Sequence, residues 1–314
     1  MPPDPPGLVI TEFPFFTFLF ADLHAHLMSI PFVILIIATG LSIVKSVSSN
    51  TQKLIERIVT LIILGITIGA ISAINTWDIP MSLCVSFSAI TIAYFLRYGS
   101  ITKKMILLSV LESSFVLGIG ILSFIPYHIN TITFFKWVEP TTNVTTLTQI
   151  LSINGFFLFL IATGIICLLN KKLKLRLREI LITIFISIGI SGLLAAINNY
   201  SGAIFVSSAL AILVLFSLIK NNPKNTPSFI FICMITLIGL GIIFFIDIWR
   251  IEGDIERMNS VFKFYLQAWI LLGISSSYFI YQIIISIPKM NPTFKYIIPV
   301  SVIFLLISTS IYPV

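Results

Sequence analysis

Apolar stretches about 20 residues long, separated by short polar or proline-bearing breaks, follow one another along almost the whole chain. As a helix rising 1.5 Å per residue, such a stretch spans the hydrocarbon core of a bilayer. The pattern predicts ten helices, at 27–46, 58–75, 80–97, 105–126, 149–169, 179–197, 203–219, 228–247, 264–286 and 295–312. The expected fold class is all-α: a polytopic membrane helix bundle of about ten transmembrane helices with outer-face loops. Residues 1–26 read as a segment ahead of the bundle, and 27–314 as a single transmembrane domain.

Composition removes the main alternative. Of 314 residues, 57% are hydrophobic and 10% charged, 27 are Phe, and mean hydropathy is +1.08. A soluble domain carries roughly 25% charge, so a soluble globular fold is excluded. The net charge of +7 would suggest nucleic acid in a soluble protein, but the basic residues fall between apolar runs and set topology instead, so no nucleic-acid partner is expected. Cys84, Cys167 and Cys233 lie inside apolar runs without the pairing of a zinc or redox motif, and read as buried thiols.

Assigning loops alternately to two sides puts fifteen of the 19 Lys and Arg together, among them Lys45, Lys53, Arg97, Lys103, Lys104, Lys171 and Lys224. Only Lys136, Arg250, Arg257 and Lys263 fall on the other side, which the positive-inside rule makes extracytoplasmic in a plasma-membrane protein. That acid-rich side also holds nine of the 12 Asp and Glu and all 3 His. The N-terminus is then outside, yet MPPDPPG at residues 1–7 lacks the basic region and cleavage site of a signal peptide. The expectation is a chain preceded by missing helices or by an N-terminal partner chain. Gly69–Asn75 echoes Gly192–Asn198, which reads equally as coincidence in an Ile- and Ala-rich sequence or as a duplicated four-helix unit.

The richest stretch runs from Thr11 to His26, where an aromatic segment precedes Asp22, His24 and His26. In an extended segment, period two points these three one way, so a carboxylate and two imidazoles can share a divalent ion. In a helix only Asp22 and His26 share a face, and the competing reading is a helix start with Asp22 at its positive end. Asp247 to Tyr265 forms a second cluster, in which Arg257 and Lys263 read equally as contacts to a phosphate or as parts of a solvated loop. Asp78, just before Pro80, suits a helix N-cap better than catalysis. Asn75 and Asn198 read as helix-end amides, and Asn143-Val-Thr145 and Asn199-Tyr-Ser201 match outward-facing glycosylation sequons. Glu112, well inside a predicted span, reads equally as a proton relay or as a carboxylate that snorkels to the cytoplasmic face or bonds to a neighbouring helix.

The motifs Glu12-Phe-Pro-Phe-Phe16, Ala21-Asp-Leu-His-Ala-His26, Asn75-Thr-Trp-Asp-Ile-Pro80 and Arg257-Met-Asn-Ser-Val-Phe-Lys-Phe-Tyr265 resemble the uncharacterised YYY family of archaeal and bacterial multispanning membrane proteins. That family is grouped remotely with type C glycosyltransferases, which take sugars from polyprenyl-phosphate donors at the outer face. Asp22-Leu-His24 is similar to the short Asp-x-His motif of oligosaccharyltransferases. The resemblance implies Glu12, Asp22 and His24 as catalytic residues, Asp22, His24 and His26 as metal ligands, and Arg257, Lys263, Asn259, Asp78 and Trp77 as substrate contacts. Membrane lipid and a polyprenyl-phosphate sugar donor are the implied partners. The rival expectations are a secondary transporter, on the strength of Glu112 and the echo, and a noncatalytic membrane assembly protein.

Overall fold

A computed structural model describes residues 23–49, 53–132, 137–141, 143–170, 177–219, 226–252 and 257–311, apart from the side chains of 170, 177–184, 217–219, 226 and 311. Glu12 and Asp22 lie outside the described residues. In chain order the elements are α1 (Ala25–Ser49), α2 (Leu54–Ile74), α3 (Ile79–Tyr98), α4 (Lys103–Ser123), α5 (Ile125–Asn130), β1 (Val138–Pro140), α6 (Leu147–Asn170), α7 (Leu177–Ala196), α8 (Tyr200–Ile219), α9 (Thr226–Ile246), β2 (Trp249–Ile251), α10 (Met258–Ile284) and α11 (Pro292–Ile311). Ten of these helices have 20 or more residues, one for each predicted span.

Among the described residues seven helices are long and apolar enough to cross a membrane: α1, α2, α3 with its preceding turn, α4, α6, α9 and α11. The described side chains of α7 and α8 supply shorter apolar stretches, Phe185–Ala196 and Tyr200–Phe216. The remaining long helix, α10, owes its lower apolarity to Lys263, Gln267 and Ser275–Ser277. Gln267, Ser275 and Ser276 are buried, so part of its polarity faces protein.

The helix ends follow local chemistry. Thr146 and Gln149 cap α6 reciprocally: the Thr146 amide donates to Gln149 Oε1 at 2.9 Å and the Gln149 amide to Thr146 Oγ1 at 3.3 Å. Asn199 Oδ1 caps α8 by accepting from the Gly202 amide at 2.9 Å. Helix α3 ends on Gly99, whose φ of 71° is the left-handed conformation glycine adopts without a Cβ penalty.

Helix packing divides the chain into two compact units. One comprises residues 17–136 and 222–238. Here α1 packs on α3 and α2 on α4, with chain neighbours also in contact, around Val33, Ile36, Ile43, Leu64, Ile71 and Ile90. The α2–α4 contact is close because of small residues: a Cβ on Gly65 would stand 2.7 Å from the Val116 carbonyl oxygen, and one on Gly69 2.6 Å from that of Gly120.

The other unit comprises residues 1–16, 137–221 and 239–314. There α6 packs on α10, on α8 and on α11, and α7 pairs with α8. Gly164 leaves room for the Phe279 ring, which a Cβ would approach to 2.6 Å. Strands β1 and β2 pair antiparallel in the register Val138↔Ile251, Glu139↔Arg250 and Pro140↔Trp249. This ribbon joins two loops that lie four long helices apart along the chain.

Three residues differ from expectation. Ser201, the hydroxyl residue of the second sequon, is buried at 3% exposure. Cys84, expected to be buried, is exposed on the surface of α3, whereas Cys167 and Cys233 are buried. Thr145, the hydroxyl residue of the first sequon, is buried at 4% exposure, because its side chain enters an ion-pair network.

Candidate functional site at the start of the first helix

The α1–α4 unit gathers polar side chains where α1 and α3 begin and α2 ends. His24 is exposed and its carbonyl accepts the first helical bond, from the Met28 amide at 3.1 Å, so α1 starts between the two histidines. Between His24 and His26 the chain therefore turns helical instead of staying extended. The rings nevertheless meet, edge to face, with centroids 5.2 Å apart. One turn further on, the buried Ser29 hydroxyl contacts the Asp78 carboxylate Oδ2 and lies 2.9 Å from the His26 carbonyl oxygen. His26 is 2% exposed and Asp78 4%.

Asp78 occupies the N-cap position of α3 as expected, but its side chain caps nothing there. The reason is local. Thr76–Asp78 forms a 3₁₀ turn leading straight into α3, so Asp78 is already helical in φ and ψ, and its amide is bonded to the Asn75 carbonyl at 3.0 Å. The carboxylate is left for Ser29. Asn75 ends α2, and its side chain is buried with no hydrogen-bond partner for Nδ2 among the described residues. Trp77 is half-buried in the 3₁₀ turn. His128, beyond α4, is exposed, with Nε2 3.5 Å from the Ser72 hydroxyl near the end of α2.

The second unit holds a different cluster. Asp247 Oδ1 accepts from Arg257 Nη1 at 2.6 Å, from the Thr145 hydroxyl at 2.6 Å and from the Thr145 amide at 3.1 Å. Arg257 Nη2 donates to the Thr145 hydroxyl at 2.8 Å, and Tyr265 OH lies 3.1 Å from the same oxygen. Asp247 and Arg257 are each 3% exposed. Arg257 is thus a buried counter-ion tying the starts of α6 and α10 to the end of α9. Lys263 is half-buried with Nζ 5.0 Å from the Phe262 ring centroid, and Asn259 is exposed. Glu139 and Arg250 pair across the ribbon at 2.8 Å.

Glu112 takes the second of its two readings. Its carboxylate receives Arg57 Nη2 on Oε2, and Oε1 accepts from Arg57 Nε at 3.0 Å and from Tyr94 OH at 2.7 Å. Its charge is neutralised by neighbouring helices.

Among the described residues no group of three His, Cys, Asp or Glu is close enough to hold a metal ion; Asp22, the expected third ligand, lies outside them. Sequence reasoning passed over Ser29, Thr145 and Asp247 as partners. Serine and threonine are common in membrane helices, and nothing along the chain shows which carboxylate, 49 or 102 residues away, will accept from them.

A family model described as uncharacterized membrane protein (DUF2298) matches residues 7–272. The chain belongs to this family. The DUF2298 match takes in Glu12, Asp22, both histidines, Asp78, Arg257, Asn259 and Lys263, and ends within α10. No curated protein and no solved structure gives a significant match.

Proposed function

We propose that this chain is a membrane-embedded, glycosyltransferase-like enzyme that acts at the extracytoplasmic face on a sugar linked to polyprenyl phosphate. The observation that carries the proposal is the grouping of Asp78, Ser29, His26 and His24 at one end of the α1–α4 unit, the end that the basic loops leave free. The similarity of Asp22-Leu-His24 to the Asp-x-His motif of polyprenyl-phosphate-dependent enzymes supplies the reaction class. In that reaction an acceptor hydroxyl oxygen bonds to the anomeric carbon, the bond from that carbon to the polyprenyl-phosphate oxygen breaks, and the phosphate leaves with the electron pair. The hydroxyl proton passes to Asp22 or Glu12 as base.

The remaining groups take the roles their surroundings allow. The adjoining imidazoles of His24 and His26 suit a shared divalent ion together with Asp22, which would stabilise negative charge on the leaving phosphate. Trp77, half-buried, is proposed as an aromatic face for the sugar, and Asp78, buried against Ser29, as a positioning group beside it. Lys263 and Asn259 are proposed as contacts to an anionic headgroup from the sequence resemblance alone, and Arg257 is engaged by Asp247.

The test follows release of polyprenyl phosphate from a synthetic polyprenyl-phosphate sugar by the purified protein. Asp22→Asn, which keeps size and removes charge, abolishes release while expression is unchanged. His24→Ala and His26→Ala each reduce it, and a chelator mimics them. Full activity in an Asp22→Asn, His24→Ala double variant would return the motif to the role of a helix start. The transport reading is examined separately, by proton-coupled uptake in vesicles holding the wild-type protein, and none is expected. An assembly role without catalysis predicts no release from any donor.

A further inference from the structure

The short turn between α3 and α4 reads Arg97-Tyr-Gly-Ser-Ile-Thr-Lys-Lys104 and carries three cations and no acid. It has no task in the proposed reaction, and lies at the opposite end of α3 from Asp78. Two of its cations converge on one aromatic ring: the Arg97 guanidinium carbon lies 5.9 Å and Lys104 Nζ 6.0 Å from the Tyr98 centroid. Arg97, Lys103 and Lys104 are all exposed, and Tyr98 is half-buried.

The ring is held from within. Tyr94 stacks on Tyr98 with centroids 6.4 Å apart and planes 15° from parallel, and the buried Arg57 guanidinium lies 6.0 Å from the Tyr94 centroid. Tyr94 is fixed in turn by its bond to Glu112. A ladder of rings and cations thus runs from the buried Arg57–Glu112 pair out to the turn. Gly99, in the left-handed conformation, and Thr102, whose hydroxyl accepts from the Met105 amide at 3.1 Å, shape the turn around it.

Exposed like charges ordinarily spread apart, and lysines are disfavoured in the first turn of a helix by its dipole. Here both cost terms are present together, and an anion at the turn relieves them. A tyrosine with a rigid, buried backing at the edge of an apolar helix sits at headgroup depth in a bilayer. We propose that the α3–α4 turn is a binding site for an anionic phospholipid headgroup, with the phosphate held by Arg97, Lys103 and Lys104 and the glycerol region against Tyr98. Basic juxtamembrane clusters attract anionic lipid through each Lys or Arg near the surface. Arg adds a planar fork for the phosphate oxygens.

The experiment uses the full chain reconstituted in an equimolar mixture of phosphatidylglycerol and phosphatidylcholine, with retained lipid read by native mass spectrometry after detergent extraction. Wild-type protein is expected to retain phosphatidylglycerol preferentially, and the Arg97→Gln, Lys103→Gln, Lys104→Gln variant to lose that preference on the order of tenfold or more. A Lys289→Gln, Lys295→Gln variant, with two charges removed from the other unit, keeps it. Where the triple variant does not fold, Lys104→Gln alone is expected to weaken the preference. Excess inorganic phosphate does not displace the retained lipid. An unchanged preference in the turn variants, an equal loss in the Lys289, Lys295 control, or displacement by inorganic phosphate each overturns the assignment.

Discussion

Arg257 shows how far single residues can be read without their neighbours. In the sequence its charge and loop position read equally as an anion contact or as part of a solvated loop, and the anion it contacts is Asp247 of the same chain. A spacing of ten residues across an intervening strand does not reveal that pairing, and the third partner, Thr145, is 112 residues from Arg257. Removing one member of a buried ion pair strands the other's charge, at a cost of about 3–5 kcal/mol. Arg257→Ala and Asp247→Ala are therefore each expected to destabilise the folded protein by about that amount in detergent unfolding titrations. Arg257→Met with Asp247→Leu should cost clearly less than the sum of the single changes, because neither charge is then buried alone. Single changes that cost nothing would mean that the pair is not formed. Lys263→Ala removes a half-buried cation that is neither member of the Asp247–Arg257 pair, and probes headgroup binding. Asp78 repeats the lesson: its place before Pro80 was legible, but its use was not. The cap role fails because the 3₁₀ turn makes its backbone helical before α3 begins.

Elements were far more legible than contacts. Each of the ten apolar stretches corresponds to one long helix, because a segment buried in lipid must satisfy its own backbone and its apolar length records that need directly. What hydropathy leaves out is which faces meet. Nothing in the apolar run marks Gly65 and Gly69 as contact residues, yet they bring α2 onto the backbone of α4. Leucine at either position would collide with carbonyl oxygens that cannot move independently of their helix. Gly69→Leu is expected to lower the melting temperature markedly and to increase proteolysis within α2 and α4. Leucine at Gly118, which has open space where its Cβ would stand, should have little effect in the same assay. Equal melting temperatures for the two variants would remove the close α2–α4 contact. Buried polar groups also matter for one span, since Gln267, Ser275 and Ser276 make α10 look less like a membrane helix than its packing requires.

At the scale of the whole chain, helix positions recur. Leu54–Ile74, Ile79–Tyr98 and Lys103–Ser123 reappear near Leu177–Ala196, Tyr200–Ile219 and Thr226–Ile246, an offset of 123 residues from Leu54 to Leu177 and from Lys103 to Thr226. The Gly69 and Gly192 motifs lie at the same offset. The packing is only partly repeated: α6 on α8 matches α1 on α3, whereas α2 has its main partner in α4 and α7 in α8. Topology offers a direct measurement. Once Cys84, Cys167 and Cys233 are replaced, cysteines at Asn143 and Glu252 are expected to react with an impermeant thiol reagent outside intact cells, and cysteines at Lys171 and Lys224 are not. The reverse labelling pattern would invert the orientation and move the candidate site to the cytoplasm. The β1–β2 ribbon adds a condition of a different kind. Its strands flank α6 to α9 and hydrogen-bond to each other, so the chain between them is a closed ring. Both strands must reach the same side of the membrane before the ring can shut, which an even number of intervening spans permits. Because β2 follows α9 in the chain, the ribbon closes only after α9 has been made. A chain stalled before residue 249 leaves β1 without its mate, so a closed ribbon marks a chain that has been made past α9.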